Sequence, residues 1–198
     1  MLAACASVPR LRPLSGVPAP KVLPRTAIPS GHRRLVFDWE YREKIFHAKG
    51  QGVARVAAPD SVRLDFFLEN GTAGGYVLLL GDSTFFPADA DASRYIPSVP
   101  LLWASLGRLT PTGTDTVVAV DGDSLRADIG RGPAWRATFV GNRLVQVQRI
   151  TDSRIEEYVI RSDTSRVVYH HARAGRTLRM AITKQLEDTA FDEAIWRR

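Results

Sequence analysis

The sequence has almost no cysteine, no long apolar run and, over its first 34 residues, no acidic side chain. Cys5 is the single cysteine in 198 residues, so neither a disulfide framework nor a cysteine metal site can form within one chain. No stretch of about 18 or more apolar residues occurs, which excludes a membrane-spanning helix. Residues 1–34 hold Arg10, Arg12, Lys21, Arg25, Arg33 and Arg34, and these six account for the whole formal charge of +6. The remainder is neutral. A nucleic-acid-binding fold carries its basic stripe on the folded domain, so nucleic acid is not an expected partner. Histidine is scarce as well: there are four, and none has an aspartate three positions before it.

That last absence weighs against the one hydrolase-like motif. Gly122-Asp123-Ser124-Leu125 resembles the nucleophile block of GDSL-type esterases. A nucleophilic serine needs a base, the family's Asp-x-x-His is missing, and Arg126-Ala127-Asp128 reads as the return strand of a hairpin. The hairpin reading is preferred, and no enzymatic activity is expected. Asp121, Asp123 and Asp128 read as turn carboxylates, because a calcium loop starting at Asp121 would need Glu at its twelfth position, where Gly132 sits. Neighbours on a strand point to opposite faces. His170 and His171 therefore cannot share a metal, and Glu156 and Glu157 cannot act as an acid–base pair. No cofactor is expected.

What is present begins with a tail. Six of the twelve prolines fall at Pro9, Pro13, Pro18, Pro20, Pro24 and Pro29, with no amphipathic period, so residues 1–34 are expected to form an extended, largely disordered linker. Leu2-Ala3-Ala4-Cys5 ahead of this stretch resembles the lipobox of bacterial lipoproteins. That resemblance implies acylation at Cys5 and a lipid anchor, and Ala6 after the cysteine implies sorting to the outer membrane rather than inner-membrane retention.

Residues 35–198 then read as one domain of mostly antiparallel β structure. Leu35, Phe37, Trp39 and Tyr41 alternate with polar residues and give a strand with an aromatic inner side. In Gly50–Leu68, Pro59-Asp60-Ser61 supplies the turn and Val62, Leu64, Phe66 and Leu68 the inner face of the returning strand. Residues 69–75 read as a flexible loop, 76–80 as an all-apolar strand, and 83–86 as its partner. The period then changes. Val99, Leu102, Trp103 and Leu106 fall at helical spacing after Ser98, a candidate cap, and before Gly107. A helix of about ten residues is not stable alone in water, so it must dock on the sheet. From 116 onward a meander is predicted at 116–121, 124–128, 134–141, 143–150, 154–162, 165–172 and 176–186, with a capping box at Thr189–Asp192 before a last apolar turn.

The elements together resemble the lipoprotein-localisation (LolA/LolB-like) superfamily, which includes a periplasmic carrier and an outer-membrane receptor. Gly50-Gln51-Gly52, an alternating strand and Pro59 are similar to the carrier's Gly-x-Gly strand ending in Pro. Leu80-Gly81-Asp82 through Phe85-Phe86-Pro87 is similar to its turn and aromatic strand. Where the carrier has an arginine that anchors its lid, this chain has Ala58; where the receptor has an apolar side chain on a protruding loop, residues 69–75 are small or polar. The resemblance implies a strongly curved open β-barrel, a half-barrel of about eleven strands, with a short apolar helix covering the concave face. It further implies an anchored envelope lipoprotein that binds acyl chains and serves lipoprotein or lipid sorting. The ligand-binding set expected from this reading is Phe37, Trp39, Leu64, Phe66, Leu78, Leu102, Trp103, Leu106 and Met180, with Leu102, Trp103 and Leu106 forming a lid. The alternative is a non-enzymatic structural lipoprotein with a closed core, acting through an envelope protein partner.

Overall fold

The computed structural model describes residues 8–87, 96–132 and 134–197; Cys5 lies outside them. Its strands are β1 (Val17–Pro18), β2 (His32–Glu43), β3 (Phe46–Ala57), β4 (Ser61–Leu68), β5 (Ala73–Leu80), β6 (Ser83–Phe85), β7 (Thr116–Asp121), β8 (Ser124–Ile129), β9 (Trp135–Val140), β10 (Arg143–Thr151), β11 (Arg154–Arg161), β12 (Arg166–His171) and β13 (Arg176–Asp188). One helix, α1 (Val99–Ser105), separates β6 from β7. All thirteen strands join one open sheet in the order β1-β7-β8-β9-β10-β11-β12-β13-β2-β3-β4-β5-β6. Every pairing is antiparallel, so two sets of connections face opposite rims. The near rim carries the β2–β3, β4–β5, β8–β9, β10–β11 and β12–β13 connections. The far rim carries β3–β4, β5–β6, β7–β8, β9–β10 and β11–β12.

One strand, β1, was not expected from sequence: it has two residues, pairs through backbone alone and leaves no side-chain period. The sheet has thirteen strands against the expected count of about eleven. Residues 8–31, expected to be free, lie along the domain. The Ile155 amide donates to the Pro9 carbonyl at 2.9 Å, Leu11 donates to Ser153 at 2.8 Å, and β1 covers the edge of β7 at Val120 and Ala119. Ile28 is buried in the core. The loop expected at 69–75 is shorter, because Ala73, Gly74 and Gly75 already belong to β5 across a bulge at Phe66–Phe67.

The Gly50-Gln51-Gly52 segment explains how β2 and β4 fit. Beyond Phe46 at its start, the inner face of β3 carries Ala48, Gly50, Gly52, Ala54 and Val56 in succession. Across the ladder Gly52 opposes Phe37 and Gly50 opposes Trp39. A Cβ on Gly52 would collide with the Phe37 ring, and one on Gly50 with the Phe67 carbonyl. The Phe37 ring therefore covers the bare backbone of Gly52, and Gly50 admits the β4 backbone at close range. Trp39 Nε1 donates to the Gln51 and Phe67 carbonyls at 2.9 and 3.2 Å, and Phe66 meets both rings edge-on at 5.7 and 5.8 Å.

Helix α1 starts at Val99 with Pro100 in its first turn and ends where Gly107 adopts φ of +92°. Ser98 does not cap it; its hydroxyl donates to Glu157 Oε1 at 3.0 Å. Leu101, Leu102 and Trp103 are buried, and the helix packs on β10, β11 and β12. Trp103 Nε1 reaches the Gly81 carbonyl at 2.8 Å, and the Arg108 guanidinium lies 4.6 Å over its ring while donating to the Pro59 carbonyl at 3.0 Å. The final turn, Glu193–Trp196, is a 3-10 turn capped by Asp192 rather than by Thr189, the Asp192 carboxylate accepting from the Ala194 amide.

Gly50→Ala forces main chain to move, since its obstacle is a carbonyl. Urea unfolding is expected to show a loss of about 1–3 kcal/mol; a change within the ~0.5 kcal/mol of an ordinary surface substitution would contradict the close approach.

Candidate functional site

At the near rim the sheet and its flanking segments enclose a pocket of about 300 Å³. β2 contributes Trp39 and Tyr41, β3 Phe46 and Ala48, β4 Phe66 and Leu68, β5 Tyr76 and Val77, and β13 Leu178, with Pro87 and Ile96 beyond the strands. The room exists because Ala48, Gly74 and Gly75 have little or no side chain where neighbouring strands carry rings. Gly75 has φ of +120° in the bulge, a conformation that favours glycine. The lining is overwhelmingly apolar.

A line of polar groups borders this pocket and crosses the inner face. Tyr41 donates its hydroxyl to Glu43 Oε2 at 2.7 Å, and Arg176 donates to Glu43 Oε1 at 3.3 Å. Arg176 also bonds Tyr169, whose hydroxyl donates to Glu157 Oε2 at 2.9 Å. Glu157, buried on β11, receives two further donors on Oε1, Ser98 and Arg149, each at 3.0 Å. Three donors thus hold its carboxylate in place. Desolvation, then the neighbouring Glu43, raises the Tyr41 phenol well above its usual range; desolvation, then Glu157, does the same for Tyr169.

Of the expected ligand residues, Trp39 and Phe66 line the pocket. Phe37 and Leu64 lie on the same face but are buried in the core behind it. Leu78 lies on the other face: it pairs with Arg63 and Phe85, whereas Val77 and Leu79 share the core with Leu64 and Val62. Met180 opposes Trp39 in the ladder and packs against the core without lining the pocket; both residues also border a second groove of about 850 Å³ that opens on the outer face. That groove is lined by Asp38, Glu40, Lys49, Phe67, Glu69 and Arg179, with its charges paired as Lys49–Glu69 and Arg179–Glu40. Leu102, Trp103 and Leu106 pack with the core and do not reach the pocket. Tyr41, Phe46, Leu68, Tyr76 and Leu178 were not in the expected set; Tyr41, Leu68 and Leu178 sit in register with strand faces the alternation had identified.

Other candidate groups fall as follows. Ser124 opens β8 opposite Asp121 and Val140. Asp121 accepts from Ser15, and Asp128 is held by the Arg136 guanidinium. His170 stacks on Tyr158 at 5.1 Å and bonds Thr177, while His171 accepts from the Ala174 amide. Among the described residues no group of three metal-ligating side chains comes together.

The described residues thus form an open antiparallel sheet with one inserted helix and an apolar pocket at its near rim. This fold is that of the LolA superfamily. The chain superimposes on a LolA superfamily protein from Nitrosomonas europaea with a TM-score of 0.53 and 9% identity, covering 87% of this chain and 93% of that one. It also superimposes on a domain described as an outer membrane lipoprotein-sorting protein from Vibrio parahaemolyticus, with a TM-score of 0.52 and 7% identity, covering 84% and 89%. No family model matches the chain, and no curated protein matches it in sequence.

Tyr169→Phe removes one donor from buried Glu157 and is expected to cost about 1–3 kcal/mol in urea unfolding at neutral pH. Because the folded-state tyrosine pKa is raised, the contribution of the phenol is complete below about pH 10 and is lost as pH rises further. The wild-type urea midpoint should therefore fall above that pH more steeply than that of the variant. Parallel profiles would contradict the assignment.

Proposed function

We propose that this protein is an acyl-chain-binding lipoprotein of the bacterial envelope, which uses the near-rim pocket to hold an apolar chain without bond-making. The observation that carries the reading is the apolar pocket of about 300 Å³ between Trp39, Tyr41, Phe66 and Leu178. Its volume is about twice that of the ~150 Å³ cavity that takes up benzene, and it holds roughly ten groups of water size at ~30 Å³ each. Ten methylenes moved from water at ~0.8 kcal/mol each represent about 8 kcal/mol of transfer free energy. That is enough for selective uptake before the costs of ordering the ligand.

In this reading α1 covers the concave face over β10–β12 and leaves the β2–β5 side open. Cys5 carries the acyl anchor, residues 1–34 connect it to the domain at 35–198, and the protein serves lipoprotein or lipid sorting at the outer membrane. The fold shared with proteins described as lipoprotein-sorting supports this. The three donors on Glu157 support a role without catalysis. The closed-core alternative draws its support from the α1 half, where Leu101 and Trp103 are fully buried.

Displacement of a fluorescent fatty acid by saturated acids of increasing length tests the proposal. Affinity is expected to rise with chain length and level off near about ten carbons, and Ala48→Phe should weaken it about tenfold or more by filling the pocket. No saturable binding, or an Ala48→Phe protein that binds as wild type, would sink it.

A further inference from the structure

The two rims of the sheet differ in charge. The far-rim connections contain Asp60, Asp82, Asp123 and Asp163 and not one Lys or Arg. The near-rim connections contain Lys44, Arg131 and Arg173 against Glu69 and Asp152, with Arg131 paired with Asp115 at 3.2 Å and exposed Arg154 and Arg10 beside Asp152. Glu69 is already neutralised by Lys49. A charge difference of this kind orients a protein on a surface of the opposite sign.

The near rim also exposes apolar side chains. Ile45, at the tip of the β2–β3 hairpin, is fully exposed, and Phe46 is 57% exposed. Lys44 takes a φ of 51°, which fixes the tight turn that throws Ile45 outward. Phe46 packs edge-on against Tyr41 at 5.8 Å and lines the pocket, so the exposed tip is continuous with the pocket mouth. Pro9 and Leu11 are bonded to the β10–β11 connection, which brings the N-terminal segment to the same rim.

We propose that the near rim is a docking surface for an anionic phospholipid bilayer, with Ile45 and Phe46 entering the interface and the basic turns lying on the headgroups. Interfacial binding strengthens with buried apolar area and with attraction to anionic lipid. Docked this way, the pocket mouth faces the lipid from which an acyl chain would be taken. The use of the mouth rests on the acyl-binding reading; the docking itself does not.

Flotation of the unacylated Cys5→Ser full chain with vesicles of phosphatidylcholine, with and without phosphatidylglycerol, tests it. The chain is expected to float only with the anionic vesicles. Ile45→Asp should weaken that binding about tenfold or more, and Lys44→Gln and Arg173→Gln about fivefold each. Asp82→Asn on the far rim should leave it unchanged. Unaltered urea unfolding of the variants shows that they are folded, and their fatty-acid affinity reports separately on the pocket. Retained docking without fatty-acid binding would leave this inference standing and remove the acyl-binding reading. Equal binding to neutral vesicles, no vesicle binding, or full binding by Ile45→Asp would overturn the docking surface.

Discussion

The close fit of β2 and β4 against the bare backbone of β3 holds the rest of this structure in place. Phe37 can occupy the inner face because Gly52 opposes it without a side chain, and Gly50, opposite Trp39, lets the β4 backbone come close. The Trp39 indole then bonds two main-chain carbonyls, tying β2 to β3 and β4. Phe66 completes the cluster from β4. Phe37, Trp39 and Phe66 make the inner side of β2–β4 aromatic, and its near-rim end, beside Ala48 and Gly75, is the pocket.

The two halves of the sheet meet different fates. Over β10–β12, α1 supplies Leu101, Leu102 and Trp103, and the core there is fully packed. The bonds from Trp103 to Gly81 and from Arg108 to Pro59 fix the helix to the far rim, away from the pocket. The polar line from Tyr41 to Glu157 closes the other boundary. Each buried charge in it has a partner, as a low-dielectric interior requires. The pocket therefore lies in the part of the inner face that neither the helix nor the polar line occupies.

The strands were legible because their alternation is clean: β2, β4 and the meander from β7 to β13 begin and end within a few residues of the periodicity. The fold class followed, as did the importance of Gly50-Gln51-Gly52. Other features left no local trace. Tyr76–Leu80 is apolar on both faces, so its period could not reveal that Leu78 turns away from Leu64. On that other face Arg63 is bound by the Ile195 carbonyl of the C-terminal turn, a tertiary contact no pattern announces. Helical spacing at Leu102, Trp103 and Leu106 established an apolar stripe but not which strands would receive it. The segment before β2 binds through main-chain groups, which sequence composition does not encode.

The central claim is that an apolar ligand sits against the Trp39–Phe66 floor and not beneath α1. Photo-crosslinking with a diazirine-bearing fatty acid, followed by mass-spectrometric mapping of the adducts, reads this directly. Adducts on Trp39, Phe66, Leu68 or Leu178 are the predicted result. Adducts confined to Leu102, Trp103 and Leu106, or to outer-face residues such as Phe67 and Arg179, would contradict it.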